Sequence, residues 1–423
     1  MREQAYRDPV HGFILVNADY LRQLIDTPEF QRLRRIRQLG VSYGTYHGAE
    51  HSRFGHSLGT LWIMQQMLDR LEHAGFSIAA DVRITALCAA LLHDVGHGPF
   101  SHALENLLTQ DKTHEAWSQA IITGETEINK VLRQVDESLP QQIADVLGGA
   151  YAGPAFVAEL VSSQLDADRM DYLLRDSLYT GVTYGHFDLH RLINTLQLVD
   201  QHVVIQAKGV VAVEEYVLAR YFMYWQVYFH KAIRSHELLL RAAWRRAVRL
   251  WQEGGLSAQH VTPGLVPVLS GSCSDVGQYL LVDDYDVYSS LKQWRYHPDP
   301  ILADLADRFL ARRLLKPIFK APHTSDVAAQ LEQARTLVQN SGWDPDYYLQ
   351  VDHTRNLAYD TYTEEAGARR VPTIRAVTDA GRPVEVTKLS EPIRAVAQRP
   401  REAVNVYVPQ EVVAQVRALF TAD

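Results

Sequence analysis

Leu91-Leu92-His93-Asp94-Val95-Gly96-His97-Gly98-Pro99-Phe100-Ser101-His102 follows an apolar run, Ile84 to Ala90, that reads as a buried helix. At helical period His93 and His97 fall one turn apart on one face with Asp94 beside them, so two imidazoles and a carboxylate can converge on one point. Gly96, Gly98 and Pro99 break the helix and let backbone approach whatever is bound there. Neutral imidazole and carboxylate at short spacing suit a borderline divalent cation. A His-Asp pair at a helix end is equally an ordinary hydrogen-bonded core pair, and only partners elsewhere in the chain decide between the two.

Working outward, Glu50-His51-Ser52-Arg53-Phe54-Gly55-His56-Ser57-Leu58-Gly59 opens a helix over Leu61 to Leu71, with His56 projecting from its first turn. Asp166-Ala167-Asp168-Arg169-Met170-Asp171-Tyr172-Leu173-Leu174-Arg175-Asp176 puts Asp168, Tyr172 and Asp176 at four-residue steps on one helix face. Such a polar row either faces solvent or points at a ligand. His56, the pair His93-Asp94, and Asp168 thus lie on three predicted helices. Two nitrogens and two carboxylate oxygens would hold one divalent ion with positions left open for water and phosphate.

A long helix is expected from Val213 to Gln252, carrying Arg220, Tyr224, Tyr228 and Lys231 as one cationic and aromatic stripe. That stripe lines a pocket for an anionic aromatic ligand, or it is plain core. Near the N-terminus, residues 5 to 16 read as a two-stranded hairpin; Thr27 and Pro28 then start a helix whose Arg32, Arg34, Arg35 and Arg37 form either a solvated face or a phosphate contact.

The 423 residues exceed one usual core, so a large domain, 1–320, and a small α+β one, 321–423, are expected. With 47% hydrophobic residues there is ample material for an interior. A formal charge of -8 argues against wholesale nucleic-acid binding, though not against a local basic pocket for a small polyanion. Cys88, in the apolar run, and Cys273, in a loop-like stretch, make no disulfide framework. No signal-type core or membrane-length apolar segment is visible, which reads as a soluble cytoplasmic protein without a membrane partner. A second hairpin is expected within 196 to 213, a loop over 256 to 276, helices near 283–294, 300–314 and 325–340, a strand at 347–352, a hairpin at 373–386, a strand at 404–408 and a closing helix at 409–420.

The pattern His, then His-Asp, then Asp resembles the HD superfamily of phosphohydrolases. More specific blocks resemble its deoxynucleoside triphosphate triphosphohydrolase (dNTPase) branch: Arg7-Asp8-Pro9-Val10-His11-Gly12, Asp26 through Leu33, Gln38-Leu39-Gly40, His51 through Gly59, His93 through His102, and Asp168-Arg169-Met170-Asp171-Tyr172. The resemblance covers roughly residues 5 to 235. It implies a mainly α fold with an HD-domain helical core; small β-hairpins and a C-terminal α+β subdomain are expected from the residue pattern.

It further implies hydrolysis of a dNTP at the α-phosphorus to a deoxynucleoside and tripolyphosphate. His56, His93, Asp94 and Asp168 align with the metal ligands, for manganese, iron, magnesium, nickel or zinc. His102 aligns with the general acid and Glu105 with the acidic residue that orients it; His97 and His114 align with the other active-site histidines. Arg53, Arg169 and Arg220 align with phosphate-binding cations, Tyr172 and Asp176 with the grip on the sugar 3′-hydroxyl, and Gln38 and Leu39 with sugar-edge contacts. Tyr228 aligns with the aromatic that crowds the 2′ position, whereas Tyr224 departs from the pattern. The resemblance also implies a homo-oligomer, dimer or tetramer, and a regulatory nucleotide near Asp26, Arg32 and Lys231. Two other readings stay open: an HD phosphohydrolase acting on nucleoside monophosphates, cyclic dinucleotides or alarmones, and a nucleotide-binding sensor with little turnover.

Overall fold

The fold was analysed in a computed structural model that describes residues 4–109, 112–321, 327–356, 359, 372–378, 381–397 and 401–420; within these the side chains of residues 102, 106, 320, 321, 355, 356 and 401 are not described. The N-terminal hairpin pairs β1 (Gln4–Asp8) with β2 (Gly12–Val16), Gln4 opposite Val16 and Asp8 opposite Gly12. Alternation buries Ile14 and Val16 and turns Phe13 and Leu15 outward. Asp8 closes the turn by accepting from the backbone N–H groups of Val10 at 2.9 Å and His11 at 3.0 Å.

Thr27 caps Pro28–Gln31 as its sequence predicts. The helix then runs on only as a tight turn, Arg32–Arg35, so Arg37, Gln38 and Leu39 stand on a loop rather than on the expected helix. Helices Arg53–His73 and Ala80–Leu92 are lined with buried aliphatic side chains and pack together with Ala155–Val161 and Ala167–Thr180 as the first core.

The expected single helix from Val213 to Gln252 is interrupted. Val210–Met223 passes into a π-helical turn, Tyr224–Tyr228, and a new helix starts at Lys231–Gln252, with the His230 ring accepting from the Ala232 N–H. No glycine or proline marks the break, so periodicity alone misses it. Lys231–Gln252 belongs to a second core with Asp284–Trp294 and Pro300–Leu310, built around Trp244, Trp294 and Phe309.

The β-hairpin β3 (Leu196–Val199) and β4 (His202–Gln206) lies against the first core. Strand β5 (Lys316–Ala321) leads into the expected α+β tail, which supplies β6 (Gln350–Asn356), β7 (Arg375–Val377), β8 (Pro383–Glu385) and β9 (Arg401–Val408). They do not pair with one another as one unit. β7 extends the earlier hairpin by lying parallel to β4, giving the order β3-β4-β7-β8, while β5-β9-β6 forms a separate antiparallel sheet on the second core. The 320/321 boundary therefore cuts through β5, and the tail is divided between both cores. Among the described residues, no helix is long and apolar enough to cross a membrane.

Candidate metal centre and its cavity

His56 and His93 reach one point from different helices. The His93 ring pairs through Nδ1 with the Ala90 carbonyl at 2.8 Å, which directs Nε2 toward His56 Nε2, 3.2 Å away. Asp168 Oδ1 lies 3.0 Å from His56 Nε2 and 3.6 Å from His93 Nε2, and Asp94 Oδ1 lies 3.3 Å from His93 Nε2. Donors about 2.0–2.2 Å from one divalent ion sit about 3–4 Å from each other, so these spacings and this donor set fit such an ion. His56, His93 and Asp94 form a group with ligand atoms all within 4.8 Å of one another, and Asp168 adjoins it.

The electrostatics agree. Burial by itself would lower the His56 imidazole, yet its hydrogen bonds to Asp168 and Asp171 push it up to about 10. Burial would raise Asp94, but the Arg53 guanidinium and the neighbouring imidazoles hold it well below the usual carboxylate range. Asp168 is likewise held down, by His56 and His93. Converging carboxylates call for positive charge, which the imidazoles supply here and a cation would supply better.

His97 does not continue the helical face expected of it, because the helix ends at Leu92 and the chain turns. Its Nε2 lies 3.2 Å from Asp94 Oδ1, and its ring stacks on His114 with centroids 4.0 Å apart. Burial and the nearby Arg53 guanidinium keep His97 well below its ordinary value, hence neutral. Glu105 accepts from both the backbone N–H and the ring Nδ1 of His114. The side chain of His102 lies outside the described residues.

A cavity of about 520 Å³ opens beside the cluster. Of the expected substrate contacts, Gln38, Leu39, Arg53, Arg169, Tyr172, Asp176, Tyr224 and Tyr228 line it. Asp176 is fixed from two sides, by Tyr228 Oη at 2.8 Å and His51 Nε2 at 2.8 Å. The π-helical turn is what presents Tyr224 and Tyr228 together, their rings edge-to-face at 5.0 Å. Arg53 also donates to Ser101 Oγ at 2.7 and 2.9 Å, and Arg169 pairs with Asp166. Arg220 stands behind the wall, its guanidinium 5.8 Å from the Tyr224 ring centroid.

The three residues expected at a regulatory nucleotide part company. Asp26 is exposed and away from the cavity wall, and Lys231 is exposed at a second cavity of about 400 Å³. Arg32 is sealed inside, donating to the carbonyls of Val282 at 2.7 and 3.0 Å and of His97 at 2.8 Å. Its guanidinium is thus a strut behind the His97 loop, out of reach of a ligand arriving from solvent, which corrects that expectation.

Several residues that sequence reasoning passed over belong to the site. Asp284 accepts from the Arg37 N–H at 3.0 Å and the Phe100 N–H at 2.9 Å, pinning two loops of the cavity wall, with Phe100 and Ser101 both at positive φ. His51 holds Asp176 and Asp171 holds His56 from behind, and His11 in turn holds Asp171. Their signal was partly present, since His51, Asp171 and His11 all fall inside the quoted motif blocks.

Comparisons with known proteins place residues 53–176 in the HD domain family and residues 187–262 in the HD associated region. The chain is 39% identical over 411 residues to the uncharacterized Bacillus subtilis protein YwfO, covering 97% of this chain and 93% of that one. It is 31% identical to the Dictyostelium discoideum deoxynucleoside triphosphate triphosphohydrolase SAMHD1 homolog, over 57% of this chain and 48% of that protein. A solved phosphohydrolase from Bacteroides thetaiotaomicron superposes with a TM-score of 0.84 at 28% identity, covering 97% of this chain and 100% of that one.

Proposed function

The chain belongs to the HD superfamily of phosphohydrolases, and from that premise we propose that it hydrolyses deoxynucleoside triphosphates to deoxynucleoside and tripolyphosphate. The observation that carries this reading is the continuity of one cavity from the His56, His93, Asp94 and Asp168 cluster to the Tyr228–Asp176 pair, with Arg53 and Arg169 between walls. A volume of about 520 Å³ is of the size that small-molecule ligands fill.

In this reading those four side chains would hold a divalent ion, which would supply charge for phosphate oxygens and lower the pKa of water. Arg53 and Arg169 offset the triphosphate charge, and His97 and His114 stand beside the phosphate oxygens. Asp176 accepts from the sugar 3′-hydroxyl, while Tyr228 closes the space a 2′-hydroxyl would need. Water forms the new bond to the α-phosphorus and loses a proton to solvent, the bond from phosphorus to O5′ breaks, and His102 delivers the proton that O5′ takes up. A regulatory nucleotide between subunits of a homo-oligomer would have Asp26 and Lys231 available, but not Arg32.

The test is product identification after incubating the metal-loaded protein with each of the four dNTPs and with GTP. Deoxynucleoside plus tripolyphosphate is the expected result. Orthophosphate as product, or turnover only of a monophosphate or cyclic dinucleotide, assigns the site to another nucleotide. Tight binding without turnover makes the protein a sensor.

A further inference from the structure

The block Asp8-Pro9-Val10-His11-Gly12 has no part in the reaction proposed above, yet it closes on the metal cluster from behind. His11 Nε2 lies 2.6 Å from Asp171 Oδ1, and Asp171 Oδ2 lies 2.8 Å from His56 Nδ1. Asp171 is fully buried. Arg175 ties the same carboxylate to the hairpin a second time, through Asp171 at 2.8 and 3.0 Å and through Asp8 at 2.8 Å. The His11 ring stacks at 4.5 Å on Trp62, which stands on the same helix as His56.

That helix is shaped for the contact. A Cβ at Gly59 would fall 1.8 Å from Asp171 Oδ1, so only glycine lets the carboxylate lie between the two helices. A carboxylate behind a metal-ligating imidazole decides which ring nitrogen carries the proton and leaves the other lone pair for the ion. Here Asp171 accepts the hydrogen bond from His56 Nδ1–H, which leaves the lone pair free on Nε2, the atom that faces His93 and Asp168.

We propose that Asp171 and His11 are positioning residues of the metal site, and that the N-terminal hairpin is a latch whose docking and the site's affinity for a divalent ion form one linked equilibrium. The inference rests on the ligand set proposed above. Linkage makes it reciprocal: a bound ion steadies the hairpin to the degree that the docked hairpin tightens the ion.

The experiment is a Mn²⁺ titration of the full chain by calorimetry, beginning with the wild type. Asp171→Asn and His11→Phe, the latter keeping a ring for Trp62 but no donor, are expected to weaken Mn²⁺ binding about 10–100-fold. His11→Gln, whose amide can donate near the position of Nε2, restores most of that affinity. Arg7→Ser, on the exposed side of the hairpin, leaves it unchanged. Saturating Mn²⁺ should slow amide hydrogen exchange over residues 4–16 in the wild type and fail to do so in Asp171→Asn. Folded His11→Phe and Asp171→Asn proteins that bind Mn²⁺ as the wild type does, or a hairpin whose exchange ignores Mn²⁺, would overturn the latch. A wild type that binds no divalent ion overturns the ligand set itself.

Discussion

The two cores bury charge in opposite ways. Around His56 and His93, Asp94, Asp168, Asp171 and Asp8 are matched, among the described residues, by two guanidiniums that touch them, Arg53 and Arg175. In the second core the half-buried Arg234 and Arg246 and the buried Arg308 each face a carboxylate: Asp352, Asp299 and Asp304 in turn. A surplus of carboxylate in a dry site is tolerated only where a cation or a proton completes it, whereas matched pairs complete themselves. The difference separates a region organised to receive something from one organised to hold its shape.

The sharpest way to break that contrast is to remove a member of the surplus. His93→Ala and Asp168→Ala should each lower turnover by roughly 10³-fold or more, on the order of 4 kcal/mol of transition-state stabilisation, with Mn²⁺ affinity lost in the calorimeter. If both variants keep most of their activity, the metal assignment is wrong. Removing a member of a matched pair should do the reverse. Arg308 is buried between Asp304 and Glu411 and under the Trp343 ring. Arg308→Met should cost about 2 kcal/mol in urea unfolding, less than a fully sealed pair because both carboxylates can rehydrate, and leave Mn²⁺ affinity as it was.

The smallest effect is a pH slope. Burial against Phe309 lowers the His236 imidazole from 6.5 to about 4, so the native state keeps it neutral while the unfolded chain protonates it. Its contribution is present above pH 6.5 and is lost as the pH falls from 6.5 toward 4. His97, also held neutral, acts in the same direction. The thermal midpoint of the wild type should therefore fall more steeply over that window than that of His236→Gln, and equal slopes would remove the claim.

The helical class, the N-terminal hairpin and the separate helices that carry His56 and Asp168 or end at His93 were legible because each is a local pattern. What was not legible depends on distant partners. Asp284 meets Phe100 across 184 positions, and His11 meets Asp171 across 160. Neither pairing leaves a mark on periodicity. The break between Val210–Met223 and Lys231–Gln252 was missed for a different reason: a π-helical turn needs no proline or glycine, and the aromatic residues that occupy it read as ordinary helix. Arg32 sat in a basic run that suggested solvent or phosphate, and only the packing of Val282 and His97 carbonyls around it shows why a charge can be interior there.

The parallel pairing of β7 with β4 carries a consequence for how the molecule is made. During synthesis the catalytic half leaves the ribosome long before residues 375–377 exist, so β4 waits with an open edge through more than a hundred and fifty further residues. An open edge invites pairing with another nascent chain. A stop or a protease cut before residue 375 would leave every proposed metal ligand in place and still deliver a protein prone to stick to its neighbours.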